Sequence, residues 1–569
     1  MYADKVLLNG KVFSPAGDTV IRAEAVAISG DKIIAVGTNE SITELINEGT
    51  DIVDCKGKSI LPGLCDAHCH PSWMASMLES CQLFDIKPSP ENTCSQVTRM
   101  YTDRVAEFAA EKNDDLIRGI GWNRAFFIGS CADTSWPTRH DLDKISQDKP
   151  VVMESYCQHI LWVNTKALEL AGITKDTKDP DNGAILREDD GTPSGILMEM
   201  EAIDLIKENL PGYDFTVEQY KRSFLAYQEE MLSYGVTLVN DCLCTENAKT
   251  AYRELAAEGA LKLRLRGVYH LPDCSNPEII KDFAKQRASD KIGEFEIDTV
   301  KIFLEGDMAM LEPYEDAFNN EHGNPKGYKS MPFFSLESAK TAMKVALENG
   351  FNIHIHAMGD ASVKQAVDAL IYAQNATNTD SRNIIAHLMA VDPADITKMG
   401  ENRIIANCQP RWMIYDSDAD ENYMIMYGKD RTLGFYPNRQ FLDAGCVVAY
   451  GTDFPVTPPA NTMHNIQCAV TRSVFEADEA EYVRYKGTIL GPEDDPTRDC
   501  VSLEDAVRSN SWSGAFQNHL EDVTGSLEPG KSADLILLDC DIEKTPAEDL
   551  HRVKVEQTIF KGKVVYKRV

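Results

Sequence analysis

The chain has 569 residues, 43% hydrophobic and 26% charged, which supplies a large apolar core and excludes a disordered polymer. Its 90 acidic and 57 basic residues give a net charge of −33, a field that repels nucleic-acid phosphate and anionic membrane surfaces, so neither is expected as a partner. No apolar run approaches the roughly 20 residues that span a bilayer, and the opening Met1-Tyr2-Ala3-Asp4-Lys5 shows no basic segment leading into an apolar one, so a cytoplasmic location is expected.

Short strands separated by turns are predicted at residues 5–8, 11–13, 25–28 and 32–36, with Asn9-Gly10 and Ser29-Gly30-Asp31 as turns, a texture of antiparallel β-structure. The same texture returns at 533–538 and 553–566, where Phe560-Lys561-Gly562-Lys563 resembles Leu8-Asn9-Gly10-Lys11. Residues 1–59 and 515–569 are therefore expected to build one small β-sandwich domain together.

Between the two ends, eight apolar β-rich runs occur at 60–67, 236–241, 261–270, 299–304, 351–357, 383–388, 403–408 and 446–451, spaced by helix-length segments. This pattern predicts an α/β fold, a (β/α)8 TIM-like barrel over 60–71 and 235–514, whose reacting groups lie at the C-terminal ends of its strands. Roughly 165 residues separate the first run from the second, far more than a βα loop, so 72–234 is expected to be a large inserted lid subdomain above the barrel mouth. Within it, 151–153 reads as a strand, 165–170 as a helix ended by Gly172, and 179–183 as a turn. The 15 cysteines contain no CxxC pair, which favours reduced, buried thiols over disulfides or a cysteine zinc ribbon.

The sharpest local signal is Asp66-Ala67-His68-Cys69-His70 at the end of the first run. Residues i and i+2 of an extended chain project to one side, so His68 and His70 can offer two imidazoles to one ion. Asp66 either orients one imidazole or caps a turn. Three further runs end in ligand-type residues: His354 and His356, His387, and Asp453. By the same period of two His354 lies deeper in the barrel, and it is assigned to packing.

Lys301 places an ammonium inside an apolar strand. Such a group is paired, neutralised or modified, since an isolated buried charge is costly. It is either salt-bridged to Glu305 or Asp307, or carboxylated to an anionic carbamate able to bridge two metal ions.

In the insertion, Gly121-Trp122-Asn123 and His159-Ile160-Leu161-Trp162-Val163-Asn164 set polar groups beside aromatics, with Phe126, Phe127 and Trp136 near in sequence. Trp122, His159 and Trp162 are the candidate substrate-binding residues, with core packing the competing reading for the tryptophans and His159 also a candidate donor to the substrate carbonyl. Residues 525–538, Arg472 and His464 are read as structural.

Together these motifs resemble the amidohydrolase superfamily and its YtcJ-like branch along nearly the whole chain. The resemblance rests on residues 61–70, Gly121-Trp122-Asn123, residues 137–143, His159 to Asn164 with Ala167-Leu168, and Val300-Lys301-Ile302-Phe303. It continues through His356-Ala357-Met358-Gly359-Asp360, Ala386-His387, Asp453-Phe454-Pro455-Val456 and residues 525–534. Glu305-Gly306 and Asn123 depart from the branch, which commonly has Asp-Gly at the first and frequently an aspartate at the second.

The resemblance implies a catalytic centre of two divalent metal ions, with Zn2+ expected: His68, His70 and Asp453 on the more buried ion, His356 and His387 on the other, and carboxylated Lys301 bridging both. Two cations would activate a shared water and polarise a carbonyl, while Asp453 would serve as general base and then acid. The expected reaction is hydrolysis of a C–N amide bond in a small-molecule N-formyl or N-acyl amine. The alternatives are a cyclic-amide hydrolase or deaminase of the same superfamily and, more remotely, an inactive scaffold. A homodimer is expected by analogy alone.

Overall fold

All eight apolar runs become strands of one parallel sheet in the computed structural model, which describes residues 2–89, 91–112, 114–127, 135–156, 159–180, 183–306, 308–321, 324–379 and 381–569. In chain order they are β1 (Leu64–Cys69), β2 (Val236–Asp241), β3 (Arg264–His270), β4 (Phe295–Phe303), β5 (Asn352–Ala357), β6 (Ile384–His387), β7 (Ile405–Cys408) and β8 (Val448–Tyr450). Each pairs in parallel with its successor. The segment after β8 then meets β1, since Asp453 N donates to His68 O at 2.8 Å and His70 N donates to Phe454 O at 2.8 Å. These bonds bring the eight-strand barrel close to closure at its C-terminal end. Cys65, Ala67, Leu238, Ile384, Ile405 and Ala449, from five of the strands, form one buried apolar cluster.

The first predicted run is two strands. Ser59–Pro62 joins a different sheet, and Gly63 marks the switch into β1. A Cβ at Gly63 would lie 2.2 Å from Thr237 Oγ1, so only glycine lets the backbone pass this close to β2.

Both chain ends contribute to one six-stranded sheet, in the order Lys563–Lys567, Val555–Phe560, Leu535–Leu538, Ser59–Pro62, Lys11–Ala16, Thr19–Ala23. A four-stranded sheet, Lys32–Gly37, Ala25–Ser29, Lys5–Leu8, Asp51–Asp54, shares its core through Leu7, Val26, Ile28, Ile60, Leu535 and Leu537. The expected antiparallel texture holds for the hairpins. Two pairs are parallel instead, Lys5–Leu8 with Asp51–Asp54 and Lys11–Ala16 with Ser59–Pro62, because long connections rather than two-residue turns join them. The described cysteines are free thiols, all buried except Cys500 and Cys540. No described helix is long and apolar enough to cross a membrane.

The chain divides into two compact units: residues 1–71, 225–244 and 252–569 in one, and 72–224 with 245–251 in the other. The second has its own six-stranded sheet, ordered Ala184–Arg187, Pro193–Met198, Ile160–Val163, Val151–Ser155, Ile117–Trp122, Cys81–Gln82. Helix Cys94–Lys112 buries Cys94, Val97, Tyr101 and Val105 in the core of this unit. The predicted helix appears as Thr165–Leu170, where Asn164 Oδ1 accepts from Ala167 N at 2.9 Å as its N-cap. Of the turn expected at 179–183, residues 181 and 182 lie outside the described residues.

Candidate metal centre

The centre is built from the ends of β1, β4, β5 and β6 and the segment after β8. His68 and His70, two residues apart on an extended chain, are both buried. Asp453 Oδ1 lies 3.0 Å from His70 Nε2 and 3.2 Å from His68 Nε2. The His68 ring is 4.8 Å from that of His387, centroid to centroid, and the His387 ring is 4.3 Å from that of His356. Lys301 is fully buried on β4, its Nζ 4.8 Å above the Phe303 ring. The six expected ligands thus gather in one place.

Strain is concentrated on two of them. His387 and Asp453 have φ of 81° and 56°, left-handed values that cost a non-glycine residue energy and persist where the surroundings fix them. At His387 the fixing group is Gln409, whose Oε1 is 2.9 Å from His387 Nδ1. Gln409 Nε2 in turn donates to Asn407 Oδ1 at 2.9 Å, and Asn407 Nδ2 donates to Gln517 Oε1 at 2.9 Å. This relay of carboxamides, with Trp412 stacked 5.2 Å from the His387 ring, holds the imidazole. At Asp453 the clamp is Asp66, which accepts from Thr452 N at 2.9 Å and Thr452 Oγ1 at 2.6 Å. Asp66 therefore caps the turn carrying Asp453 rather than orienting an imidazole ring.

Burial dominates the electrostatics. It pushes the imidazolium forms of His68 and His387 far out of reach, and together with the nearby Lys301 cation it lowers His356 to about 3, so these rings are neutral and able to donate lone pairs. Burial also lowers the Lys301 ammonium, against the pull of Cys242 and Asp453. Burial would raise the Asp453 carboxyl, but the hydrogen bond with His70 and the nearby Lys301 cation help to outweigh it, and Asp453 is held below its ordinary value.

Among the described residues, two buried nitrogen atoms of this cluster, His68 Nε2 and Lys301 Nζ, have no hydrogen-bond partner. Such atoms are expensive unless something else completes them. Neutral imidazole nitrogens, an anionic carboxylate and a modifiable amine suit a zinc-type cation, and His68, His70 and Asp453 each offer a ligand atom, all within 4.8 Å of one another. The expected salt bridge from Lys301 to Glu305 does not form. Glu305 is spent on the backbone, accepting from Ala309 N at 2.5 Å, Gly359 N at 3.0 Å and Met358 N, while burial raises its carboxyl to about 7. Asp307, the other partner considered, lies outside the described residues.

The substrate-binding expectations for the insertion are corrected in part. Trp122 and Trp162 are fully buried in the core of the second unit, their rings 5.8 Å apart edge to face, leaving no surface for a substrate. Their indole nitrogens are satisfied by Met153 O at 3.0 Å and Thr138 O at 2.9 Å. His159 is different: its side chain is 43% exposed, and Nδ1 lies 2.9 Å from Glu199 Oε2. Arg472 is structural as expected, buried with its guanidinium donating to the carbonyls of Leu490, Tyr436 and Phe435. Sequence reasoning missed Gln409 and Trp412, which follow β7 and support His387, because neither is a ligand-type residue.

Comparison with known proteins agrees with this picture. The model of the amidohydrolase family matches residues 51–566. The chain is 24% identical to the putative amidohydrolase YtcJ of Bacillus subtilis (strain 168), over 96% of each chain. It is 25% identical to N-substituted formamide deformylase of Arthrobacter pascens, over 96% of this chain and 95% of that one. An uncharacterized metal-dependent hydrolase from Pyrococcus furiosus shares the fold, with a TM-score of 0.71 and 23% identity over 94% of this chain and 99% of that one. Matched by the family's model over most of its length, the chain belongs to the amidohydrolase family.

Proposed function

We propose that this chain hydrolyses the C–N bond of a small N-formyl or N-acyl amine, with two divalent cations, zinc expected, held by His68, His70, His356, His387, Asp453 and carboxylated Lys301. The observation that carries the reading is the pair of buried nitrogens, His68 Nε2 and Lys301 Nζ, that make no hydrogen bond among the described residues and lie among neutral imidazoles. The similarity to the formamide deformylase supports the choice of substrate class. When bound, the cations would lower the pKa of a water and polarise the amide carbonyl.

The chain's own residues supply the rest. Lys301, desolvated and so biased towards the neutral amine, adds carbon dioxide at Nζ: an N–C bond forms as one C=O π bond of carbon dioxide opens and one N–H proton leaves, so that the neutral amine becomes an anionic carbamate that would help hold the cations. Asp453, ionised by its field, accepts the proton of the attacking water and returns it to the departing nitrogen as the C–N bond breaks. The neutral imidazoles of His356 and His387 keep their lone pairs at working pH. His159, half-exposed and paired with Glu199, is kept as the candidate donor to the substrate carbonyl.

The test is a screen of N-formyl, N-acetyl, N-acyl-amino-acid and cyclic amides with the metal-loaded protein. Release of a free amine from the open-chain formyl or acyl compounds supports the reading. Turnover confined to cyclic amides, or ammonia release from a ring amidine, moves the chain to another reaction of its family.

A further inference from the structure

The period of two assigns His354 to packing, yet the residue has a polar partner. It is 1% exposed on β5, in register with Lys301 on β4, and its Nε2 lies 2.9 Å from Nδ1 of His68, a residue 286 positions away. The two rings meet edge to face with centroids 4.8 Å apart. Two ring nitrogens at that distance share one proton, so one ring donates and the other accepts. Which ring donates decides the tautomer of His68. If His68 Nδ1–H donates, its Nε2 keeps a lone pair, and that atom is the one 3.2 Å from Asp453 Oδ1.

We propose that His354 is the positioning residue of His68: its Nε2 accepts the His68 Nδ1–H and holds His68 in the tautomer whose Nε2 lone pair faces the space shared with His70 and Asp453. The assignment rests on the metal-centre reading above. A ligating histidine commonly hands its second N–H to an acceptor that fixes its ring and tautomer. That acceptor is more often a carboxylate or a carbonyl, and the register explains the choice here. A carboxylate at position 354 would sit beside Lys301 and hold it as an ammonium by ion pairing, whereas an imidazole accepts the proton without offering Lys301 a counter-charge. His354 then carries its own proton on Nδ1, with the Cys242 sulfur, a weak acceptor, in the same buried group of donor atoms, all within 4.8 Å of one another.

The test compares full-length His354→Leu and His354→Gln with the parent by zinc competition against a chromophoric chelator, with thermal unfolding as the control for folding. Leucine fills the space but cannot accept a proton; the glutamine carbonyl can. Leucine should weaken zinc binding about 10- to 100-fold, the range for removing such a partner, and glutamine should restore most of it. Parent-like affinity in the leucine variant, or equal losses in both, overturns the assignment. A crystal structure of the zinc-loaded parent decides the matter without any variant. Zinc on His68 Nε2 supports the proposal, and zinc on Nδ1, between His68, His354 and Cys242, overturns it. A parent that binds no zinc fails the metal-centre reading itself, and a parent that binds zinc indifferently to His354 fails this inference alone.

Discussion

Two regions of the molecule bury polar side chains deeply and treat them in opposite ways. In the second unit the indole nitrogens of Trp122 and Trp162 and the carboxamide of Asn164 are enclosed, and each finds a backbone partner between 2.9 and 3.0 Å. At the strand ends of the barrel, His68 Nε2 and Lys301 Nζ are equally enclosed and have no hydrogen-bond partner among the described residues. A buried polar atom left unsatisfied costs roughly 1–3 kcal/mol, more when it is charged, so the first arrangement is a finished core and the second is one that an added group completes. Burial alone does not mark a site, and neither does a single unpartnered atom, since others such as Gln82 Oε1 lie elsewhere; ligand-type atoms buried without partners at neighbouring strand ends do.

The sharpest way to break this contrast is to remove a barrel donor. Lys301→Ala should lose most of its second metal equivalent and at least about a thousand-fold in kcat, because the several kcal/mol of charge stabilisation that the ions supply goes with them. Metal analysis and steady-state rates check it, and parental metal content and rate would make Lys301 merely structural. Asp453→Asn keeps the shape and one oxygen but cannot take a proton. It should retain much of its metal while kcat falls by about 10²- to 10⁴-fold. A kcat above roughly a tenth of the parent's, with metal intact, would move the general base elsewhere.

The finished core should respond in stability instead. Trp162→Ala empties a fully buried site beside Trp122 and should cost about 3–5 kcal/mol of unfolding free energy, read by denaturant titration, with zinc per folded chain unchanged. A selective change in substrate preference without loss of stability would restore Trp162 as a substrate contact.

A smaller, graded effect comes from pH. His356 and His464 have folded pKa values of about 3 and His270 of about 4, each lowered first by burial, against an ordinary 6.5. The unfolded chain therefore takes up protons below pH 6.5 that the folded chain refuses, and stability present above 6.5 is lost as pH falls towards 4. The slope approaches about 1.4 kcal/mol per pH unit for each such histidine. Thermal unfolding of the metal-free protein at pH 7, 6 and 5 should show a falling midpoint; a level one would mean that these rings are not held neutral.

Much of the barrel is legible in the sequence because its signals are local. Apolar runs of strand length announce themselves, and the period of two by itself puts His68 and His70 on one side of an extended chain. Gly63 is legible only as a turn residue, since what demands glycine there is Thr237, far along the chain. Trp122 and Trp162 are ambiguous for a physical reason: an aromatic beside polar residues suits both a core and a pocket, and only the positions of Met153 O and Thr138 O distinguish them. The support given to the ligands is hidden for the same reason. His354 to His68, Gln409 to His387 and Asp66 to Thr452 are contacts between strands distant in sequence, which no local period encodes.

Zinc content measured on the folded, full-length protein before and after chelation, together with hydrolysis of an N-formyl amine in both states, tests the central claim most directly. The account predicts about two equivalents of zinc per chain, loss of hydrolysis when they are stripped, and recovery when zinc and bicarbonate are returned. Undiminished hydrolysis by protein that holds no metal would contradict it.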